Sequence, residues 1–175
     1  MKASFSIQAS RSGIKEVRLG AEKRHRSRAP QSRPDDALAR RWQELATKEL
    51  SAYLAGRLLA FSAPCDLSGL PAFTRAVLKI TVRIPYGQVR SYRWIAGLLG
   101  KPGASRAVGN ALARNPIPIV IPCHRVVRSD GGLGGYALGM NWKRRLLDLE
   151  KSRSGRSAAK RLKGRGGGVG RGFCI

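Results

Sequence analysis

A chain of 175 residues, of which 42% are apolar, is long enough for one domain of ordinary size or for two smaller ones. It carries 34 Lys and Arg against 10 Asp and Glu, and the formal charge of +24 favours a polyanionic partner, above all nucleic acid. No run is long and apolar enough for a membrane span, and the N-terminus lacks the apolar core of a secretory signal, so we expect no membrane partner.

The three cysteines, Cys65, Cys123 and Cys174, are too few and too scattered for a disulfide framework. No pair of them has the spacing of a zinc site, and we expect no metal. Unpaired thiols of this kind are typical of a reducing compartment. We therefore predict a cytoplasmic protein, associated with the nucleoid if its source is a prokaryote.

Residues 1–68 are predicted to form a small α/β subdomain with an antiparallel sheet, followed by a linker. Apolar and polar residues alternate on both sides of Ser12-Gly13, which is typical of a β-hairpin. Residues 21–34 are predicted to be a loop, and residues 61–68 the linker. Between them a helix from about Asp35 has apolar residues at helical spacing, and we interpret its Trp and Tyr as core residues: Leu38, Trp42, Leu45, Leu50 and Tyr53.

A helix-turn-helix unit is predicted within residues 69–150. A helix that opens at Pro71 and carries Phe73, Val77 and Ile80 on one face ends before the turn Pro85-Tyr86-Gly87. A short helix then follows Ser91, which is a good N-cap, and closes at Gly100. A second short helix spans about residues 105–114, and two short helices joined by a tight turn are typical of such a unit.

The second short helix has one side of small residues, which are Ala107, Gly109 and Ala111. Small side chains let a helix backbone approach another surface closely. That surface could be a nucleic acid, contacted also by Arg106 and Arg114, or simply a neighbouring helix. The residues alone leave both interpretations open.

The segment Pro122-Cys123-His124-Arg125 is the strongest candidate for chemistry. The run from Ile117 to Ile121 is predicted to be a short buried strand, which would place the thiol at the exit of a rigid element. A free thiol has a pKa of roughly 8.5, and His124, Arg125 or a helix N-terminus could lower it. Glu150 could orient the histidine in a triad-like relay. The alternative is a cysteine that only fills space beside a surface histidine.

The chain after the cysteine is predicted to end the domain and then lose its order. Glycines from Gly131 to Gly135 make a flexible loop before Tyr136. A final helix from about Asn141 packs Leu146, Leu147 and Leu149 inward. Residues 151–175 hold eight Lys or Arg and no acid, and with few apolar residues they are predicted to be a disordered basic tail.

Several separated motifs follow one another in the order and spacing of one known family. The chain resembles the O6-alkylguanine-DNA alkyltransferases, also called methylated-DNA–protein-cysteine methyltransferases, strongly over about residues 69–150 and more weakly back to about residue 3. The resemblance implies a mixed α/β fold in which the α/β subdomain precedes a mainly helical, winged-helix-like domain. The matching residues are Ile84-Pro85-Tyr86-Gly87, Ser91-Tyr92, Arg106-Ala107-Val108-Gly109, Asn115-Pro116, Pro122-Cys123-His124-Arg125-Val126, Gly135-Tyr136, Lys143, Leu146-Leu147 and Glu150.

The resemblance also implies the reaction. Cys123 would take the alkyl group from O6 of guanine, or from O4 of thymine, in DNA, once and irreversibly. His124 would accept the thiol proton through a water, and Glu150 would polarise the histidine. Asn115 would hold the turn around the cysteine. Tyr92, assisted by Lys143, would help to flip the nucleotide and to stabilise guanine as it leaves.

The partner implied is double-stranded DNA that contains alkylated guanine, bound by a monomer through its minor groove with the damaged base flipped out. Arg106 would fill the space that the base vacates. Direct transfer needs no metal, nucleotide or flavin, so we expect no cofactor. The expected DNA contacts are Arg106, Ala107, Gly109, Ala111, Arg114 and Arg125, and the expected base pocket is formed by Val126, Tyr136 and Ala137.

The resemblance has departures and rivals. Ala137 stands where some members have serine, and Leu138 stands where many have glycine, which could narrow the pocket against bulky alkyl groups. One rival function is a recruiter that recognises alkylguanine without repairing it, but such relatives replace the cysteine that this chain keeps. A plain winged-helix regulator is the other, and it would have no need for the cysteine motif.

Overall fold

The computed structural model describes residues 4–20 and 36–161, so the predicted loop at residues 21–34 and the residues from 162 onward lie outside the described part. The described residues divide into two compact units. The first contains residues 4–20, 36–69 and 116–120, and the second contains residues 70–115 and 121–161. The division after residue 69 lies next to the boundary expected from the sequence. The return of residues 116–120 to the first unit was not expected.

The first unit is a β-hairpin with one long helix. Strands β1 (Phe5–Ser10) and β2 (Gly13–Leu19) pair antiparallel, with Ile7 opposite Val17 and an irregularity between Gln8 and Ala9. Both Ile7 and Val17 are buried, as the alternation of apolar and polar residues predicts. The predicted hairpin is therefore confirmed.

Helix α1 (Ala37–Leu54) begins where the sequence predicts, because the Asp36 carboxylate accepts a hydrogen bond from the backbone N–H of Ala39. Tyr53 is fully buried, which confirms it as a core residue. Trp42 is only half-buried, and its indole N–H donates to the carbonyl of Arg11 at 3.1 Å. Leu38, the first residue of the predicted apolar face, is 40% exposed, so its predicted burial is wrong.

The stretch predicted as a linker is instead packed into the first unit. Phe61 is buried, with its ring centroid 5.3 Å from that of Tyr53. Ile14 exchanges two backbone hydrogen bonds with this stretch, donating to Pro64 at 2.7 Å and accepting from Asp66 at 2.8 Å. Composition alone missed this because the packing depends on partners in the hairpin and α1. Cys65, in the same stretch, is disulfide-bonded, so the expectation of unpaired thiols is wrong for this residue.

The apolar run before the cysteine is buried but does not form a strand. Ile117, Ile119 and Ile121 have no exposed surface, which confirms their predicted burial. The backbone turns instead of extending, with φ of 73° at Ile119. Pro116 and Pro118 lack the N–H groups that a strand would donate, which is why the predicted strand is wrong.

The second unit is mainly helical. It contains α2 (Ala72–Thr81), β3 (Arg90–Ser91), α3 (Tyr92–Leu98), α4 (Ser105–Ala113), a 3₁₀ turn (Cys123–Arg125), β4 (Val126–Val127) and α5 (Met140–Arg161). β3 and β4 pair in parallel, which joins the start of α3 to the residue that follows the 3₁₀ turn. Every helix in the described ranges is too short or too polar to cross a membrane.

The predicted helix-turn-helix is present as α3 and α4. The Ser91 hydroxyl accepts a hydrogen bond from the backbone N–H of Trp94 at 3.1 Å and so caps α3. Gly100 ends α3 with φ of 67°, a conformation that glycine adopts without strain. The sequence predicted both ends because capping is a local interaction.

Helix α5 differs from its prediction in two ways. Its buried residues are Lys143, Leu146 and Glu150, whereas Leu147 and Leu149 are only half-buried. The helix also continues to Arg161, so the disorder predicted from residue 151 is wrong for residues 151–161. Lys, Arg and Ala favour helix, and extending a helix that has already nucleated needs no new core.

Candidate active site

The second unit contains a cavity of about 820 Å³ that is lined by Cys123. The 3₁₀ turn supplies the cysteine, and the loop after β4 supplies another part of the wall. The two helices of the helix-turn-helix line it as well. The lining residues that bear on the argument are Tyr92, Arg93, Arg106, Gly109, Leu112, Ala113, Cys123, Arg128, Asp130, Gly134, Gly135, Tyr136 and Ala137.

The thiol of Cys123 is held by a side chain from the end of α4. The Asn115 amide donates to Cys123 Sγ at 3.1 Å and to the carbonyl of Ile121 at 3.1 Å. It therefore fixes both the sulfur and the backbone that enters the 3₁₀ turn. This is the arrangement expected for Asn115 from the sequence.

The environment raises the pKa of Cys123, contrary to the expectation that it would be lowered. Burial has the largest effect, since only 6% of the residue is exposed. The Asn115 hydrogen bond and the charge of Lys143 lower the pKa, but by less. The resting thiol is therefore protonated at neutral pH and needs a base before it can act as a nucleophile.

A base is available next to the thiol in a buried cluster of ionisable side chains, which we call the buried triad: His124, Arg125 and Glu150. His124 Nε2 lies 2.8 Å from Glu150 Oε1, and neither side chain is exposed by more than 1%. Burial lowers the pKa of His124, and the pull of Glu150 in the opposite direction is smaller. The imidazole is thus neutral at pH 7 and can accept a proton.

Arg125 is part of this triad and not of any DNA surface. Its guanidinium donates to both oxygens of Glu150 at 2.8 to 3.0 Å and to the carbonyl of Ile84 at 2.6 Å. Only 6% of the residue is exposed, so its predicted role as a DNA contact is wrong. Lone buried cations are costly, and the carboxylate of Glu150 is what keeps this one inside.

Glu150 is the acceptor that joins these groups. Besides His124 and Arg125, the backbone N–H of Gly87 donates to its Oε2 at 2.9 Å. Burial alone would raise the pKa of Glu150, but hydrogen bonds and charge from His124 and Arg125 lower it to about 2. The carboxylate is therefore ionised throughout the physiological range, as a histidine-orienting group must be.

Lys143 lies behind the cavity and does not line it. Its ammonium donates to the carbonyls of Val126 at 2.6 Å, Leu133 and Gly135, which ties β4 to the loop that follows. Burial lowers the pKa of Lys143 to about 8, although the charge of Cys123 acts in the other direction. The position predicts a role in holding the cavity wall and not direct contact with a base.

Two tyrosines face the thiol. The Tyr92 hydroxyl donates to the carbonyl of Gly135 at 3.4 Å, and a Cβ at Gly134 would lie 2.7 Å from that hydroxyl, so glycine leaves the space that Tyr92 occupies. Burial and the nearby Cys123 raise the pKa of both Tyr92 and Tyr136, which keeps both phenols protonated. The Tyr136 hydroxyl is buried and has no hydrogen-bond partner among the described residues.

The expected DNA contacts of α4 divide into three groups. Arg106 and Gly109 line the cavity. Ala107 and Arg114 are exposed but lie outside its lining. Ala111 is only 3% exposed, so its predicted contact with DNA is wrong, because it faces the core together with Val108 and Leu112.

The set of residues expected to form the base pocket also differs in part from the residues that line the cavity. Tyr136 and Ala137 line the cavity, as predicted. Val126 does not, since it is fully buried and its carbonyl is bound by Lys143. Leu138 is not part of the lining either, so the structure gives no support to a pocket narrowed by this residue.

Sequence reasoning missed a set of exposed charges that line the cavity, which we call the charged rim: Arg93, Arg106, Arg128 and Asp130. Of these, only Arg106 was singled out beforehand. Arg93 directly follows Tyr92, and Arg128 and Asp130 precede the glycine-rich loop, so closeness to the known motifs was the available signal. Within the part of the chain that the structure describes, no group of three or more His, Cys, Asp or Glu could hold a metal ion.

Comparison with known proteins gives a consistent match for this unit. The model of the 6-O-methylguanine DNA methyltransferase DNA-binding domain matches residues 72–152. The chain is 51% identical over 109 residues to a methylated-DNA–protein-cysteine methyltransferase of Mycobacterium tuberculosis, which covers 62% of this chain and just under two thirds (66%) of that protein. It is 49% identical over 107 residues to the protein of the same name from Methanosarcina barkeri, covering 61% of this chain and 67% of that protein.

Similarity in structure extends over more of the chain. The crystal structure of Mycobacterium tuberculosis OGT in complex with DNA superposes with a TM-score of 0.68 at 39% sequence identity, and the match covers 85% of this chain and 93% of that one. The O6-methylguanine DNA methyltransferase of Methanococcus jannaschii gives a TM-score of 0.61 at 26% identity, covering 86% and 90%. Both units of the fold therefore have counterparts in solved structures.

Proposed function

The chain belongs to the family of methylated-DNA–protein-cysteine methyltransferases, and on this premise we propose that it removes an alkyl group from O6 of guanine in DNA, or from O4 of thymine, by moving it to its own Cys123. The observation that carries the proposal is the position of Cys123, on the wall of a cavity and directly before His124, which Glu150 holds at 2.8 Å. Nucleophile, base and orienting carboxylate are the parts that nucleophilic catalysis by a thiol needs.

Activation of the thiol would begin with proton transfer to His124. Cys123 is protonated at rest and His124 is neutral, since burial raises the pKa of the first and lowers that of the second. A water between the two would carry the proton to the imidazole. Glu150 would then stabilise the imidazolium through the bond to Nε2, and the charge of Arg125 keeps that carboxylate ionised.

The transfer itself is a displacement at carbon. The Cys123 thiolate attacks the alkyl carbon, the new S–C bond forms as the C–O6 bond breaks, and the electron pair of that bond leaves with the guanine. Tyr92 is a protonated hydroxyl on the cavity wall and would donate its proton to the departing guanine anion. The proton that His124 took from the thiol would return through water to Tyr92, so guanine leaves neutral and the protons balance. The thioether is stable, so each molecule acts once.

The target base would reach the thiol by leaving the DNA stack, as in other proteins that modify bases. A cavity of about 820 Å³ has room for a guanine that carries a small alkyl group. Arg106 is exposed on α4 and lines this cavity, which suits a side chain that fills the vacated place in the duplex. The formal charge of +24 supports double-stranded DNA as the partner. We propose that the protein acts as a cytoplasmic monomer.

The direct test is intact mass spectrometry after incubation with a duplex that contains a single O6-methylguanine. One equivalent of DNA should add one methyl group in place of one proton, and peptide mapping should find it on Cys123. Cys123→Ala should bind the duplex and gain no methyl group. A methyl group on another residue, or repair by Cys123→Ala, would disprove the mechanism. Tight binding without any adduct would favour the recruiter function instead.

A further inference from the structure

Asp130 is an unexpected residue at the mouth of a cavity that, on the proposed function, admits DNA. The other charged side chains of the charged rim are Arg93, Arg106 and Arg128. A carboxylate beside them repels the phosphate backbone and lowers the affinity that they provide. Its presence therefore calls for a physical reason within this loop.

The loop is built to hold Asp130 against Arg128. The backbone N–H of Arg128 donates to the carbonyl of Gly132 at 2.7 Å, and this hydrogen bond closes a tight turn. Within that turn the N–H of Gly132 donates to Asp130 Oδ1 at 2.9 Å, while Asp130 Oδ2 lies 3.0 Å from Arg128 Nη2. One carboxylate oxygen is thus bound to the backbone and the other to the guanidinium.

Gly132 completes this arrangement because any larger residue would press on both partners. A Cβ at this position would lie 3.0 Å from Asp130 Oδ1 and 3.3 Å from Arg128 Cδ. Both distances are tighter than ordinary van der Waals contact, so a larger residue would displace the two side chains by a few tenths of an ångström. Glycine at this position therefore leaves the pair of Asp130 and Arg128 undisturbed at the edge of the cavity.

The ion pair of Arg128 and Asp130 is exposed to solvent, so another anion can replace the carboxylate. The side chains of Arg128 and Asp130 are 64% and 59% exposed, and pairs with such exposure contribute little to stability. A DNA phosphodiester offers the same guanidinium two oxygens in a fork-like geometry, and its single negative charge is reinforced by the neighbouring phosphates of the duplex. Arg93 and Arg106, by contrast, form no ion pair with an acid of the described residues.

We propose that Arg128 binds a DNA phosphate at the rim of the cavity, and that Asp130 holds Arg128 in position until the phosphate displaces the carboxylate. This inference rests on the proposed function, because it takes DNA as the partner of the cavity. It adds a binding residue that neither the sequence motifs nor the cysteine chemistry requires. It also gives Asp130 a role, which is to restrain Arg128 while no phosphate is bound.

The test is a double-mutant cycle measured on undamaged double-stranded DNA over a series of salt concentrations. Arg128→Gln should weaken binding and reduce the slope of log affinity against log salt by about one. Asp130→Asn should tighten binding, and the tightening should be about two- to fivefold larger when Arg128 is present than in the Arg128→Gln background. Arg145→Gln is the matched control, since it removes one exposed charge that does not line the cavity.

Two results would overturn the inference. One is a slope for Arg128→Gln that equals the slope for Arg145→Gln, which would mean that Arg128 contributes only general charge. The other is an equal effect of Asp130→Asn in both backgrounds, which would mean that the carboxylate repels DNA without acting on Arg128. Methyl transfer by the unaltered protein, followed by mass spectrometry in parallel, shows separately whether the proposed function fails.

Discussion

The buried triad and the charged rim use the same kind of ion pair for different purposes. Arg125 lies 2.8 Å from Glu150, and Arg128 lies 3.0 Å from Asp130, so distance does not distinguish the two. Exposure does: the side chains of the first pair are 7% and 1% exposed, and those of the second are 64% and 59% exposed. Water screens the second pair and leaves it exchangeable, whereas the first pair can act on the pKa of its neighbours.

On the proposed function, the buried triad serves the chemistry and the charged rim serves recognition. In the buried triad, Glu150 has its pKa lowered to about 2 and holds a neutral His124 for the thiol. In the charged rim, the arginines are exposed to solvent, and Arg128 is held only by its exposed pair with Asp130. Variants that remove a charge from each region should therefore fail in different ways.

The largest difference is expected in stability. Glu150→Gln leaves Arg125 buried without its counter-charge, so we expect a loss of about 3–5 kcal/mol in the free energy of unfolding. Asp130→Asn is the matched control, because it makes the same chemical change on an exposed residue, and it should leave stability unchanged. Urea denaturation of the three proteins measures both. Similar losses in the two variants would show that burial does not separate the regions.

The second prediction concerns acid. The pKa of Glu150 is lowered in the folded state from 4.5 to about 2, so its contribution is complete above the higher value and is lost as the pH falls toward the lower one. The loss corresponds to about 3 kcal/mol. His124 acts in the same direction, since burial lowers its pKa in the folded state and acid protonates the unfolded chain first.

Chemical denaturation at successive pH values from neutral to acidic tests this prediction. The unaltered protein should lose stability steadily, and Glu150→Gln should show a flatter dependence in the acid range. Asp130→Asn should follow the unaltered protein closely. If the stability of Glu150→Gln fell with pH as steeply as that of the unaltered protein, other carboxylates would be the cause of the acid sensitivity.

The third prediction concerns the pH dependence of methyl transfer. Without the charge of Arg125, Glu150 would act on His124 alone and raise its pKa, so the imidazole would be protonated at a higher pH and unable to take the thiol proton. Arg125→Gln should therefore transfer at least about tenfold more slowly at neutral pH and recover as the pH rises. Arg125→Lys keeps the charge but loses the paired hydrogen bonds. Its transfer rate at neutral pH should lie between the rates of the unaltered protein and Arg125→Gln.

Single-turnover transfer measured over a pH series separates this role from a structural one. Loss of structure would lower the rate at every pH without moving the profile. Arg145→Gln serves as the control, because Arg145 is exposed and lies outside both the buried triad and the cavity lining. An unshifted profile in both Arg125 variants would contradict the prediction.

The smallest effect is expected at the charged rim. Arg106→Gln should leave the unfolding free energy and the pH profile of transfer unchanged in shape, while reducing the salt slope of DNA binding by about one. Fluorescence anisotropy with a labelled duplex at several salt concentrations measures that slope. A shift in the pH profile would show that the rim and the buried triad are coupled after all.

Much of the fold could be predicted from the sequence because it depends on local interactions. The hairpin follows from alternation around Ser12-Gly13, and Ser91 caps α3 through a residue three positions away. The position of Cys123 beside His124 is likewise a property of the chain itself. The motifs around them were enough to indicate the family.

Other predictions were wrong where the result depended on burial. Ala111 was expected on the same surface as Gly109, but the turn of α4 directs it into the core. The run from Ile117 to Ile121 has the composition of a strand, yet its prolines lack the donors that a strand needs. Arg125 was expected at the DNA, but it is buried against Glu150, which is 25 residues away in the chain.

A cysteine motif, a helix-turn-helix and an excess of positive charge can be read from the chain alone, because they depend on local pattern or composition. Which charges are buried and which face solvent depends on contacts between distant residues. Folding brings Glu150 from α5 against the 3₁₀ turn of Cys123, and it leaves Arg128 and Asp130 exposed at the edge of the same cavity. Since the strength of an electrostatic interaction depends on the water around it, that division decides, on the proposed function, which residues act on the thiol and which are left to meet DNA.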